Sequence, residues 1–219
     1  MSVVEEKICS QDFSYLHPYF YNHPYALRCE LGVGDEDYLE NAYRRALEIF
    51  RILFPEGTDA ICFNYWVQDD CDSGPAEEES SEPGETMESI LDWQLERAMK
   101  YLRFLLECQF RYRHVTVRNL PTYDEPGDEF YETQRRNRVV CYSDGKGFDY
   151  EKLIQEEICW NGHEVSFVSF EQECIFSIYD DRGCDVVFMT REKLREFYHK
   201  LEPYFLDYDR EEMENRYLG

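Results

Sequence analysis

The chain has 219 residues, 43% of them apolar and 16% aromatic, enough to build a core in one domain or in two closely packed lobes. Its formal charge is −24, from 47 acidic and 23 basic residues, which disfavours the polyanionic surfaces of nucleic acids and membranes and favours a basic protein partner. Nine cysteines, none spaced C-x-x-C, read as buried thiols of a reducing cytoplasm; MSVVEEKICSQDF lacks the pattern of a leader, and no apolar run reaches membrane-spanning length.

Residues 1–27 are rich in aromatics and proline, with His-Pro-Tyr at 17–19 and again at 23–25. Two histidines six apart invite a metal reading. No Cys-His or Glu-His spacing completes a site, and proline after each histidine favours extended or turn backbone, so an aromatic loop packed on the sheet is the better reading. ALRCEL, residues 26–31, predicts a short strand closed by Gly32-Val33-Gly34, which lacks the third glycine of a dinucleotide fingerprint.

A helix follows over 36–54. Asp35 or Asp37 is placed to cap it, with Glu40 completing a capping box, and Leu39, Ala42, Ala46, Ile49, Phe50 and Leu53 form its apolar face. Pro55 and Gly57 stop it, and AICFNYWV, residues 60–67, predicts a strand. Strand, helix and strand have the makings of one parallel crossover.

From Asp69 to Glu88 there are nine acidic residues and no basic one, with Gly, Ser and Pro between them. That composition predicts a solvated loop. The chain therefore reads as a single domain, 1–219, of two closely packed lobes (about 1–67 and 86–219) joined by a flexible acidic loop over 68–85. A long helix is predicted over 86–107, then a strand in FRYRHVTVRNLP ending at Pro121. Arg111, Arg113, Arg118, Arg135, Arg136 and Arg138 make this middle third locally basic, and the acidic loop is its natural intramolecular partner. A polar loop over 122–134 leads to a short strand, 138–142, and a helix over 148–158 with Leu153 and Ile154 facing in.

The strongest pattern is Glu173 to Met189, after a strand over 165–170. Period-two alternation on both sides of Asp180-Asp181-Arg182-Gly183 predicts a β-hairpin, with Gly183 supplying a positive φ. Both faces of both strands are largely apolar, which places the hairpin centrally in a mainly antiparallel sheet with helices packed on it, an α+β fold. Thr190 is placed to cap a helix over 191–201 with Leu194, Phe197, Tyr198 and Leu201 inward, and Asp209 with Glu212 forms a capping box for a last helix to Tyr217.

LRCELG at 27–32, HVTVRNLP at 114–121, IYDDRGCDV at 178–186 and LDYDRE at 206–211 together resemble a family found mainly in Gram-positive bacteria and catalogued only as a domain of unknown function. The resemblance spans nearly the whole chain. It implies a small bacterial domain and carries no activity, substrate or catalytic residue with it.

For chemistry, the weak candidates are Asp180, Asp181, Arg182 and Asp185 at the hairpin turn. Clustered carboxylates can bind a divalent cation or split into acid and base, and Arg182 can hold a phosphate or carboxylate. The same residues are what a tight turn needs, with Arg182 pairing locally. Asp207, Asp209, Glu211 and Glu212 form a second acidic cluster that capping and the helix dipole explain. His114 and His163 have no nucleophile motif beside them, and neither a phosphate loop nor a zinc set is present.

The reading favoured is a non-catalytic acidic binding protein of bacterial type, such as an immunity or inhibitor protein that blocks a basic toxin or nuclease. It needs no cofactor and no metal, and its anchors would be Tyr65, Trp66 and Tyr179. The alternatives are a metal-dependent hydrolase using the Asp180–Asp185 turn, and a scaffold or regulatory protein.

Overall fold

The computed structural model describes residues 19–34, 36–68, 115–120, 134–142, 149–160 and 164–219, with the backbone alone over 63–68, 115–120, 134–142, 160 and 164. The acidic loop, the helix expected over 86–107 and His17, His114 and His163 lie outside the described residues. In chain order the elements are α1 (Tyr19–Asn22), β1 (Ala26–Glu30), α2 (Tyr38–Leu53), β2 (Ala60–Gln68), β3 (Val115–Leu120), β4 (Gln134–Tyr142), α3 (Tyr150–Trp160), β5 (Glu164–Ser169), β6 (Cys174–Asp180), β7 (Gly183–Phe188), α4 (Arg191–Leu201) and α5 (Arg210–Leu218). Two 3-10 turns, Glu202–Tyr204 and Asp207–Asp209, link the last two helices.

Seven strands form one sheet in the order β1-β7-β6-β5-β2-β4-β3, antiparallel at every pairing. The fold is α+β, with the 173–189 hairpin inside the sheet between β1 and β5. β1 and β2 run in the same sense, but β7, β6 and β5 lie between them, so the crossover does not make neighbours. The hairpin fills that gap because β6 and β7 are buried on both faces and need a strand on either side.

Register fixes which side chains share a face. Leu27, Val186, Phe176, Phe167 and Ile61 fall in one row across β1, β7, β6, β5 and β2. The helices α2, α3 and α4 cover this face with rings. Phe50 meets Phe167 edge-on at 4.9 Å, Tyr150 lies 6.3 Å from Phe167, Phe54 lies 6.4 Å from Phe176, and Phe188 stacks on Phe197 at 5.4 Å. The hairpin residues Phe176, Ile178, Val186 and Phe188 and the α4 residues Leu194 and Phe197 are all buried.

Several local expectations change. Leu39 is 45% exposed and Leu47 takes its place on the buried side of α2, since the stripe turns with the helical period and Leu39 sits at the helix's first turn. Asp37 is the cap residue of α2, but it is left-handed (φ 57°) and its side chain makes no cap bond. The Asn41 amide ties the turn instead, donating to the Val33 and Glu36 carbonyls. Thr190 does cap α4, accepting from the Lys193 N–H. Gly183 is not one of the described glycines with positive φ, which are Gly34 and Gly57. It is needed for close approach: a β-carbon there would overlap the Tyr179 hydroxyl and come within 2.9 Å of the Cys29 carbonyl oxygen.

The outer edge of β1 is occupied. Cys29 bridges to Phe205, the Leu206 N–H donates to the Arg28 carbonyl, and the Arg28 N–H points to the Met213 sulfur. The chain's last segment thus closes the sheet on the side where its first described strand lies.

Candidate functional site

The opposite face, at the β1–β7 end, carries charge. Arg28 and Asp185 are register partners on neighbouring strands, so their side chains meet on one face. Asp185 sits within CDVVF, a strand buried along its whole length, and is itself buried. Arg28 grips it with two bonds, Nε to Oδ1 at 2.9 Å and Nη2 to Oδ2 at 3.2 Å, and the Phe20 N–H donates to Oδ2 at 3.0 Å. Burial pushes the Asp185 carboxyl up, and the Arg28 bonds and the Phe20 N–H pull it part of the way back. Burial likewise works against the Arg28 cation, but the Asp185 bonds and charge outweigh it and raise its pKa.

Rings enclose the guanidinium. The Arg28 head lies 4.8 Å from the Phe20 ring centre, 4.7 Å from Tyr21 and 5.6 Å from Tyr179. Arg216, on α5, lies 4.2 Å from the Phe20 ring centre and ties α1 down by donating to the carbonyls of Phe20, His23 and Ala26. A second carboxylate approaches: Asp209 Oδ2 stands 3.7 Å from Arg28 Nη1. Further along the same face Ser166 donates to Ser177 at 2.9 Å, both buried.

The hairpin-turn residues do not converge. Asp180 accepts from the Arg182 backbone N–H at 2.8 Å and forms an ion pair with the Arg182 side chain, a self-contained turn. Asp185 belongs instead to the Arg28 cluster. Asp181 is half-buried at the turn itself. Among the described residues, no three His, Cys, Asp or Glu side chains are arranged to hold a metal ion. Tyr179 lies half-buried, with its ring toward Arg28 and its hydroxyl against Gly183; burial, then the Asp185 charge, pushes its pKa up. Tyr65 and Trp66 pair in register with Asn137 and Arg136, and their side chains lie outside the described residues.

Arg28 and Asp209 are the residues the sequence reading passed over. Arg28 was a polar position in a short strand, and Asp209 a helix cap. Asp209 makes no cap bond with α5, and its neighbours in the second acidic cluster pair locally, Asp207 with Arg210 at 2.9 Å and Glu212 with Arg216 at 3.0 Å. The signal available was Asp185, a lone carboxylate inside an apolar strand, which requires a cation somewhere in the chain.

A family model described as "Domain of unknown function (DUF3885)" matches residues 6–209. The chain belongs to this family. The matched span takes in every strand of the sheet together with Arg28, Asp185 and Asp209, so the polar cluster lies wholly within the family's domain. No curated protein matches the chain, and no solved structure matches it either.

Proposed function

We propose that the chain is a non-catalytic acidic binding protein whose partner is a basic protein, as expected of an immunity or inhibitor protein that blocks a toxin or nuclease. The observation that carries this reading is how the charges are spent. Among the residues whose side chains are described, each lysine and arginine already has an internal partner. Arg28, Arg44, Arg51, Lys152, Arg182, Lys193, Lys200, Arg210 and Arg216 pair with carboxylates. Arg45 and Arg195 donate to backbone carbonyls, and Arg191 lies over Tyr25. Glu36, Glu40, Glu56, Glu171, Glu192 and Glu211 are exposed and form no ion pair. These glutamates therefore add unpaired negative charge to the surface, where it steers a cationic partner and repels anionic ones.

Binding is favoured over hydrolysis at the Asp180–Asp185 turn because two of its three carboxylates are committed to arginines, Asp180 to Arg182 and Asp185 to Arg28, which leaves Asp181 without a second carboxylate to work with. A carboxylate held by a guanidinium is a poor base and a poor ligand. The test is capture from a bacterial lysate on the immobilised chain, followed by a salt step and mass spectrometry. Basic proteins released between low and high salt are expected. Retention of neutral or acidic proteins through the salt step, or metal-dependent turnover lost in Asp181→Asn, would overturn the reading.

A further inference from the structure

The face that carries Arg28 and Asp185 continues across the sheet to its other end. From Asp185 on β7 the register runs through Ser177, Ser166 and Cys62 to Val140 on β4 and Thr116 on β3. Residues two apart on a strand share a face. The next row therefore reads Glu164, Asn64, Arg138 and Arg118, and the row beyond it Trp66, Arg136 and Leu120. β3 is the last strand of the sheet, so these rows form its corner.

The two ends of the face differ in sign. At the first, register partners are a cation and an anion, Arg28 and Asp185, which satisfy each other. At the second, register partners are two cations, Arg138 and Arg118, with Arg136 two positions along β4. Residues directly opposite stand about 5 Å apart at Cβ, and like charges placed so are destabilising. The sequences of β2, β3 and β4, AICFNYWVQ, VTVRNL and QRRNRVVCY, contain no aspartate or glutamate. Glu164, at the start of β5, lies in the row of Arg138 but two strands from it, across Asn64. On these strands the corner thus holds three cations to one anion.

We propose that Arg118, Arg136 and Arg138 on β3 and β4, with Trp66 on β2, form a binding site for a nucleoside phosphate, the phosphates at the arginines and the base at the tryptophan. Arginine forks onto phosphate oxygens, and a multiply charged anion held between two arginines turns their repulsion into attraction. Trp66 is the register partner of Arg136 and the one tryptophan on the three strands, and cationic residues beside an aromatic one are what a base with its phosphate selects. The ligand is small, since the arginines occupy two neighbouring rows and a net charge of −24 opposes a long polyanion. The site is separate from the one a basic protein would use: none of the exposed glutamates named above lies on these strands.

The test titrates the full chain with ADP, pyrophosphate and adenosine, read by calorimetry. ADP is expected to bind, pyrophosphate to bind more weakly, and adenosine not to bind over the same concentrations. Arg118→Gln and Arg138→Gln should each weaken ADP about tenfold, the loss typical of one charge-assisted contact. Trp66→Ala should weaken ADP about tenfold and leave pyrophosphate unchanged. Both glutamine variants end the like-charge pair, so their urea midpoints should hold or rise, which separates a lost site from a lost fold. No binding of ADP, adenosine binding as tightly as ADP, or ADP affinity unchanged in both glutamine variants would overturn the proposal. A urea midpoint lowered in both would do the same, because the arginines would then be paired with carboxylates of this chain. So would a single-stranded oligonucleotide or a polyglutamate peptide that binds more tightly than ADP and is lost in the same variants, since the corner would then take a polymer.

Discussion

The two faces of the sheet bury comparable strands by different means. One face is closed by rings from three helices, Phe50 on Phe167, Phe54 beside Phe176 and Phe197 on Phe188. The other, at the β1–β7 end, is closed by a charge pair, three rings around it and a second carboxylate left over. The ring face can trade one apolar group for another at modest cost, because its contacts are non-directional. The charged face cannot, because each member is defined by its partner.

The largest effects should be equal on the two faces and differ in how they are rescued. Phe176→Ala leaves a cavity and should cost about 3–5 kcal/mol in urea melts. Asp185→Ala leaves Arg28 buried without its partner and should also cost about 3–5 kcal/mol. Replacing both charges, Arg28→Met with Asp185→Leu, should recover most of that loss. A double variant no better than Asp185→Ala would mean that the pair is not an isolated unit and that Asp209 depends on Arg28 as well.

Next in size is Gly183→Ala. The new β-carbon meets backbone as well as the Tyr179 hydroxyl, so the strand pair must shift, at a cost of about 1–3 kcal/mol. A change within about 0.5 kcal/mol, the scatter of neutral surface substitutions, would mean that β1 and β7 are looser than the register implies. The two helix caps then sharpen the contrast. Thr190→Ala, which removes a bond to the Lys193 N–H, should cost about 1 kcal/mol. Asp209→Ala removes no cap bond and relieves a buried carboxylate whose Oδ2 accepts no hydrogen bond and meets Arg28 only loosely, at 3.7 Å, so it should leave the melting midpoint unchanged or raise it.

The smallest effect is with pH. The Tyr179 pKa is raised in the fold, first by burial and then by Asp185. The fold therefore holds the phenol proton more tightly than the unfolded chain, whose tyrosines titrate near pH 10. Stability is fully present below about pH 10 and is lost as pH climbs toward the raised folded value, by under about 1 kcal/mol at pH 10.5. Tyr179→Phe should flatten this alkaline fall, and an alkaline limb identical in both proteins would place the hydroxyl in contact with solvent.

The ring face was largely legible from the sequence. Alternation in ECIFSIYDDRGCDVVFM and the helical spacing of Leu194, Phe197, Tyr198 and Leu201 are local signals, and local period determines which side is buried. The charged face was not, because Arg28 and Asp185 are 157 residues apart and nothing local pairs them. Asp209 was misread for a related reason. Its position does begin a helix, as the sequence says, but its side chain makes no bond to the first turn and its Oδ2 stands 3.7 Å from Arg28 Nη1, a residue far away in the sequence. Gly183 likewise sits where a turn wants glycine, yet what requires it is Tyr179 and the Cys29 carbonyl, and only the paired strands bring the latter near.

The strand order bears on how the molecule is made. β1 is synthesised early, but its neighbour in the sheet is β7, and its outer edge is closed by Phe205, Leu206 and Met213. On the ribosome, Ala26–Glu30 therefore leaves the exit tunnel with its backbone unpaired and waits while more than 150 further residues are added, as the pairing of Cys29 with Cys184 requires. Completion of the sheet is a late event that pairs its first described strand with its last, which makes for slow folding and a long interval of exposed strand edge. Acidic residues abundant throughout the sequence keep nascent chains apart by mutual repulsion during that interval, so the net charge also guards assembly.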